Sequence, residues 1–108
     1  LQKRAARTGF DWPDVMGAVE KIGEEIEELL EAESEVERID EAGDLLFAAV
    51  NAVRHMGVSA EDALRAANAK FERRFRAMET DVGDAFAGLS LEQKEQLWQR
   101  AKASTRGL

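Results

Sequence analysis

Residues 42–53 read Ala-Gly-Asp-Leu-Leu-Phe-Ala-Ala-Val-Asn-Ala-Val, and no other stretch limits the fold so tightly. At about 100° per residue, Ile39, Leu46, Val50 and Val53 share one helical face. Leu45, Ala49, Ala52 and Met56 cover a second face, and Ala48 a third. A helix that is apolar nearly all round belongs against other helices, out of water. Along it, Glu41, Asp44 and Asn51 fall on one line, at offsets of three and then seven. A charge on such a helix is costly unless it is paired or coordinated to a metal. No Lys or Arg stands one turn from Asp44, so metal coordination is the simplest resolution.

The preceding segment supplies partners. Val15, Val19, Ile22, Ile26 and Leu29 form one apolar stripe, with Glu25 at its edge and Glu28 three residues on. Adjoining positions of one turn carry both carboxylates. Packed antiparallel across a short join, the two helices bring Glu25 and Glu28 to face Glu41 and Asp44. Hard oxygen donors with no sulfur or nitrogen among them select Mg2+, or Mn2+, over zinc. Alone, the acidic run Glu24, Glu25, Glu27 and Glu28 reads as a solvated face. Its pairing with Glu41-x-x-Asp44 on a buried helix makes it a candidate site.

Helical periodicity runs through the rest of the chain, whose only proline is Pro13. Five helices are expected. A short one covers about residues 1–8 and stops at Gly9. Asp11 is the expected cap of the second, with Pro13 in its first turn. Residues 31–37 read as a turn or frayed join. The third helix runs to about His55 and ends at Gly57. Ser59 caps a fourth, over residues 60–80, with a stripe of Leu64, Ala67, Phe71, Phe75 and Met78. A loop with Gly83 and Gly88 follows, then a capping box of Ser90 and Gln93 opens the last helix. The tail from Ser104 reads as flexible. The fold class is all-α: a helical bundle of about five helices in one domain spanning residues 1–108, with the opening Leu1 suggesting a piece of a longer chain.

The formal charge of −7 argues against a nucleic-acid partner, which requires a basic face. It is compatible with a phosphorylated small molecule held through a carboxylate-bound cation. The absence of cysteine excludes disulfide and thiolate chemistry and makes a reduced, cytoplasmic setting the expectation. No apolar run approaches the ~20 residues of a membrane span.

The motif Glu24-Glu25-x-x-Glu28 followed by Glu41-x-x-Asp44 resembles that of the MazG family of all-α nucleoside triphosphate pyrophosphohydrolases. Lys3-Arg4-Ala5-Ala6-Arg7, Gly9-Phe10-Asp11-Trp12, Gly43-Asp44-Leu45-Leu46-Phe47 and Lys70-Phe71-Glu72-Arg73-Arg74-Phe75 resemble it too, out to about Lys102. The likeness looks closest to the C-terminal domain of two-domain bacterial MazG. It implies hydrolysis of nucleoside triphosphates between the α and β phosphates, in nucleotide-pool house-cleaning or control of stress nucleotides. It also implies a homodimer with a four-helix core at the interface. Gly23 and Ala42 depart from the family pattern, being smaller than expected at their positions.

By that resemblance, Glu25, Glu28, Glu41 and Asp44 hold magnesium, and Glu24 with Glu25 serves the attacking water. For Glu24, a merely solvated position is the even alternative. Lys70 and Arg74 resemble a phosphate-binding pair, against the alternative of a basic solubilising face. Lys21 can reach a phosphate or form helix ion pairs. Trp98 and Lys102 match a pair near the family's site, with Trp98 equally readable as a core anchor. Trp12 is open between stacking on a base and packing, Phe10 reads as packing, and Asn51 as a reader of base or sugar or a backbone-satisfied amide. His55 reads as a helix-end residue. A di-iron bundle fails because it needs Glu-x-x-His pairs. A non-catalytic dimerisation module is the remaining alternative, although such a module gains nothing from facing carboxylates.

Overall fold

A computed structural model of the chain describes residues 1–104. Five α-helices and one 3-10 turn account for nearly all of them: α1 (Gln2–Arg7), α2 (Val15–Glu31), α3 (Glu35–His55), α4 (Ala60–Val82), the 3-10 turn (Gly83–Gly88) and α5 (Leu91–Ser104). No strand occurs among the described residues, as the periodicity predicts. The chain forms two compact units, Leu1–Asp62 and a second beginning at Ala63. Of the tail from Ser104, that residue itself closes α5, its hydroxyl donating to the Ala101 carbonyl at 3.2 Å. The remainder lies outside the described residues.

In the first unit, α2 and α3 form a helical hairpin joined only by residues 32–34. The expected frayed join at 31–37 is therefore shorter. Ser34 is the reason: its hydroxyl accepts from the Glu37 amide at 3.1 Å, while the Glu37 carboxylate reaches back to the Glu33 amide at 3.0 Å. Two helix-start donors are satisfied at once, so α3 begins immediately.

The start of α2 also differs from expectation. Asp14, not Asp11, is its N-cap, accepting from Met16 and Gly17 amides at 3.0 and 3.3 Å. Pro13 pushes the residue before it toward extended backbone, so the helix starts after the proline. Pro13 accordingly precedes the helix instead of sitting in its first turn.

Helix α3 buries Ala48, Asn51 and Ala52. Leu45 and Val53 are half-buried, while other large apolar residues stay open in a single chain, with Ile39 68%, Leu46 67% and Phe47 58% exposed. The apolar residues that α2 and α3 bury most fully are small ones, Ala18, Ala48 and Ala52.

The second unit packs Met78 of α4 against Leu97 and Ala101 of α5, flanked by Val82, Phe86, Leu89 and Trp98. Only the C-terminal half of the expected α4 stripe joins this core, since Leu64 is 63% exposed. Phe75 meets Phe86 edge-on at 5.5 Å. The Ser90–Gln93 box forms as expected, with reciprocal hydrogen bonds of 2.9 and 3.1 Å.

Candidate metal centre

Antiparallel pairing of α2 with α3 sets Glu25 and Glu28 opposite Glu41, and carboxylate oxygens of the three lie within 4.8 Å of one another. A second group, Asp40, Glu41 and Asp44, meets the same limit. Glu41 belongs to both and links them. Asp40 was not among the residues singled out from sequence; its place one turn before Asp44 on α3 was the available signal.

The charges are poorly compensated. Glu25 is 3% exposed, and its Oε2 has no hydrogen-bond partner among the described residues. The Oε2 of Glu41 is likewise buried and unpartnered. Contact with the Glu28 carboxyl, then burial, then the charges of Glu28, Glu25 and Asp40 push the Glu41 carboxyl up to about 7. Lys21 is drawn in, its Nζ lying 2.9 Å from Glu25. That contact raises the Lys21 ammonium above its ordinary value.

Orphaned buried oxygens and mutually repelling carboxylates are the chemistry that a hard divalent cation resolves. The donor set therefore fits magnesium or manganese. Asp44 is exposed where the apolar run had suggested a buried helix, and Glu28 on α2 is exposed as well. Asp44 faces water because α3 packs in this chain through its alanines.

Beside the carboxylates is a cavity of about 630 Å³. Trp12, Lys21, Glu25, Asp44 and Asn51 line it, so five sequence-selected residues converge on one space. Gly17 makes room for Trp12: a Cβ there would stand 3.2 Å from the indole. Phe10 does not pack as expected; it is 81% exposed and borders the cavity. Glu24 joins neither carboxylate group, its side chain being 62% exposed and 3.5 Å from Lys21.

One polar residue here, Arg54, escaped the sequence reading, and two others, Asp11 and His55, take roles that it did not give them. Arg54 Nη2 donates to Asp11 Oδ1 at 2.6 Å and to Asn51 Oδ1 at 2.7 Å. His55 Nε2 lies 3.0 Å from the same Asp11 oxygen, so it is more than a helix-end residue. The Arg54 guanidinium and the His55 contact hold the Asp11 carboxyl below its ordinary range. Freed from capping α2, Asp11 instead ties the α1–α2 segment to the end of α3.

The remaining expected substrate residues belong to the second unit. Arg74 lies over the Trp98 ring at 5.6 Å, and its Nε is buried without a hydrogen-bond partner among the described residues. Trp98 also contacts Phe71 at 5.5 Å, which favours its reading as an anchor within that unit. Lys70 and Lys102 are exposed.

The chain resembles known proteins over most of its length. The family model for phosphoribosyl-ATP pyrophosphohydrolase matches residues 7–71. The chain is 47% identical to a nucleoside triphosphate pyrophosphohydrolase of Escherichia coli K12, across 94% of this chain and 42% of that protein. It is 43% identical to the nucleoside triphosphate pyrophosphohydrolase/pyrophosphatase MazG of Thermotoga maritima, across 94% of this chain and 41% of that one. The chain thus spans about two fifths of the length of these relatives.

Proposed function

Because the chain belongs to the phosphoribosyl-ATP pyrophosphohydrolase family, in its MazG-like branch, we propose that it hydrolyses nucleoside triphosphates to monophosphate and pyrophosphate with magnesium. The observation that carries this reading is the facing of Glu25 and Glu28 with Glu41, two of whose oxygens are buried and unsatisfied. Such an arrangement opposes folding unless a cation belongs there.

Glu25, Glu28, Glu41 and Asp44 are the proposed ligands, joined by Asp40 through its proximity to Glu41 and Asp44. A magnesium ion bound there would neutralise phosphate charge and lower the pKa of a water. Attack of water at the α phosphorus breaks the α–β anhydride and releases pyrophosphate. Glu24 or Glu25 is the proposed acceptor of the water's proton. Lys21 already sits at the cavity edge, where its ammonium can turn from Glu25 to a phosphate. Lys70, Arg74 and Lys102 are proposed as further phosphate cations, with Trp12, Asn51 and Trp98 on the nucleoside side.

A homodimer is part of the proposal. The exposed Ile39, Leu46, Phe47 and Val50 of α3 lie on the helix whose periodicity calls for cover on several sides. A second copy supplying the same face would complete a four-helix core. House-cleaning of the nucleotide pool is the proposed role in a cytoplasmic setting. Among the described residues, no helix is long and apolar enough to cross a membrane.

The test is product identification with each common nucleoside triphosphate and Mg2+, using Asp44→Ala as control. Monophosphate plus pyrophosphate, lost in the variant, supports the reading. Diphosphate plus phosphate would keep the metal centre and reject the reaction.

A further inference from the structure

Asn51 is 8% exposed and lines the cavity, yet its amide is only half engaged. Its Oδ1 accepts from Arg54 Nε at 3.3 Å and from Arg54 Nη2 at 2.7 Å. No group among the described residues accepts from its Nδ2. That nitrogen keeps some access to solvent, and Asn51 lines the cavity.

A guanidinium donates and never accepts. It therefore decides which end of the Asn51 amide it faces: the oxygen must turn to Arg54 and the NH2 must turn away. The reverse orientation would set donors against donors in a nearly closed space. Arg54 is in turn held by Asp11 at 2.6 Å, and the Asp11 oxygen also takes the Trp12 amide at 2.8 Å. The chain of polarity runs from the Asp11 carboxylate through Arg54 to Asn51. It begins one residue from Trp12, whose ring lines the same cavity.

From this relay we infer that Asn51 is a specificity residue with a fixed donor, and that Arg54 is the positioning residue that fixes it. The ligand acceptor is a carbonyl oxygen, ring nitrogen or hydroxyl oxygen on the nucleoside, presented while the base lies against Trp12. The inference rests on the proposed nucleotide substrate. It goes further by assigning the hydrogen-bond sense of the nucleoside contact and the residue that enforces it.

Two substitutions separate donor from acceptor without disturbing the fold. In Asn51→Asp, one carboxylate oxygen keeps the Arg54 partner and the other presents an acceptor to the cavity. Asn51→Leu removes the donor without adding charge. Arg54→Lys retains a donor beside Oδ1, whereas Arg54→Met lets the amide turn over. KM and kcat for nucleoside triphosphates would be measured for all four. Metal-free binding of the adenosine, cytidine, guanosine and uridine monophosphates would be measured by calorimetry, a readout that needs no turnover. We expect Asn51→Asp, Asn51→Leu and Arg54→Met to raise KM about tenfold or more with kcat largely kept, and Arg54→Lys to stay near wild type. Monophosphate binding should weaken in parallel.

Unchanged KM and unchanged monophosphate binding in both Asn51 variants would overturn the inference while leaving the hydrolase reading intact. Equal loss of kcat and thermal stability in Arg54→Met and Arg54→Lys, with KM unmoved, would reduce Arg54 to a structural strut and overturn it too. Monophosphate binding that depends on Asn51, without hydrolysis of any triphosphate, would support the inference and reject the reaction. Neither binding nor hydrolysis by the wild type would reject both.

Discussion

The Lys21 ammonium lies 2.9 Å from Glu25 Oε1, while Oε2 of the same carboxylate is buried with no hydrogen-bond partner among the described residues. One lysine thus balances a fraction of the negative charge gathered between α2 and α3. Lys21→Met should lower the metal-free melting temperature by several degrees, because it strands a carboxylate that is 3% exposed. Saturating Mg2+ should recover most of that loss, since the cation binds only the folded protein. Thermal scans with and without Mg2+ read both effects, and an equal loss in both conditions would refute them.

Asp44 behaves oppositely because it is exposed and stands among Asp40 and Glu41. Asp44→Ala should leave metal-free stability unchanged or raised, by relief of like-charge repulsion. Turnover should fall about a thousandfold or more if the residue holds the cation. A large loss of metal-free stability would contradict the arrangement described.

Glu41 gives a pH signature. Its folded-state value of about 7 lies above the ordinary 4.5, so its ionisation opposes folding. The stability it contributes is fully present below about 4.5 and is lost as pH rises through about 7. In chelator, Glu41→Gln should therefore gain on the wild type in melting temperature across that window. A gap that stays flat with pH would show that Glu41 ionises normally.

Gly17 and Gly23 offer contrasting tests on one helix. An added Cβ at Gly23 meets nothing within 4 Å, so Gly23→Ala should stabilise by about 0.5–1 kcal/mol and leave catalysis alone. At Gly17 the new methyl would press on Trp12 at 3.2 Å. Gly17→Ala should keep most of the helix gain but displace the indole, raising KM about twofold to tenfold. Chemical denaturation and steady-state kinetics on both variants check the pair.

Much of this was readable from residue order. The Ser59 and Ser90 helix starts depend on neighbours within a few residues, and the Ser90–Gln93 box follows from spacing alone. The Glu25, Glu28 and Glu41 cluster was legible because two short-range patterns, each helical, had to face each other across a brief join. Asp11 shows the limit. Locally it looks like a cap, but its partners Arg54 and His55 are 43 and 44 residues away.

What the sequence by itself determined is the helical character, the hairpin of α2 and α3 and the acidic pairs on it, because periodicity and capping act over one or two turns. Only tertiary structure decided that Glu41 joins two carboxylate groups, that Asp11 meets Arg54 and His55, and that Arg54 so held turns the Asn51 amide. Those outcomes depend on which distant groups meet and on how much water they lose, and neither quantity is carried by local residue order.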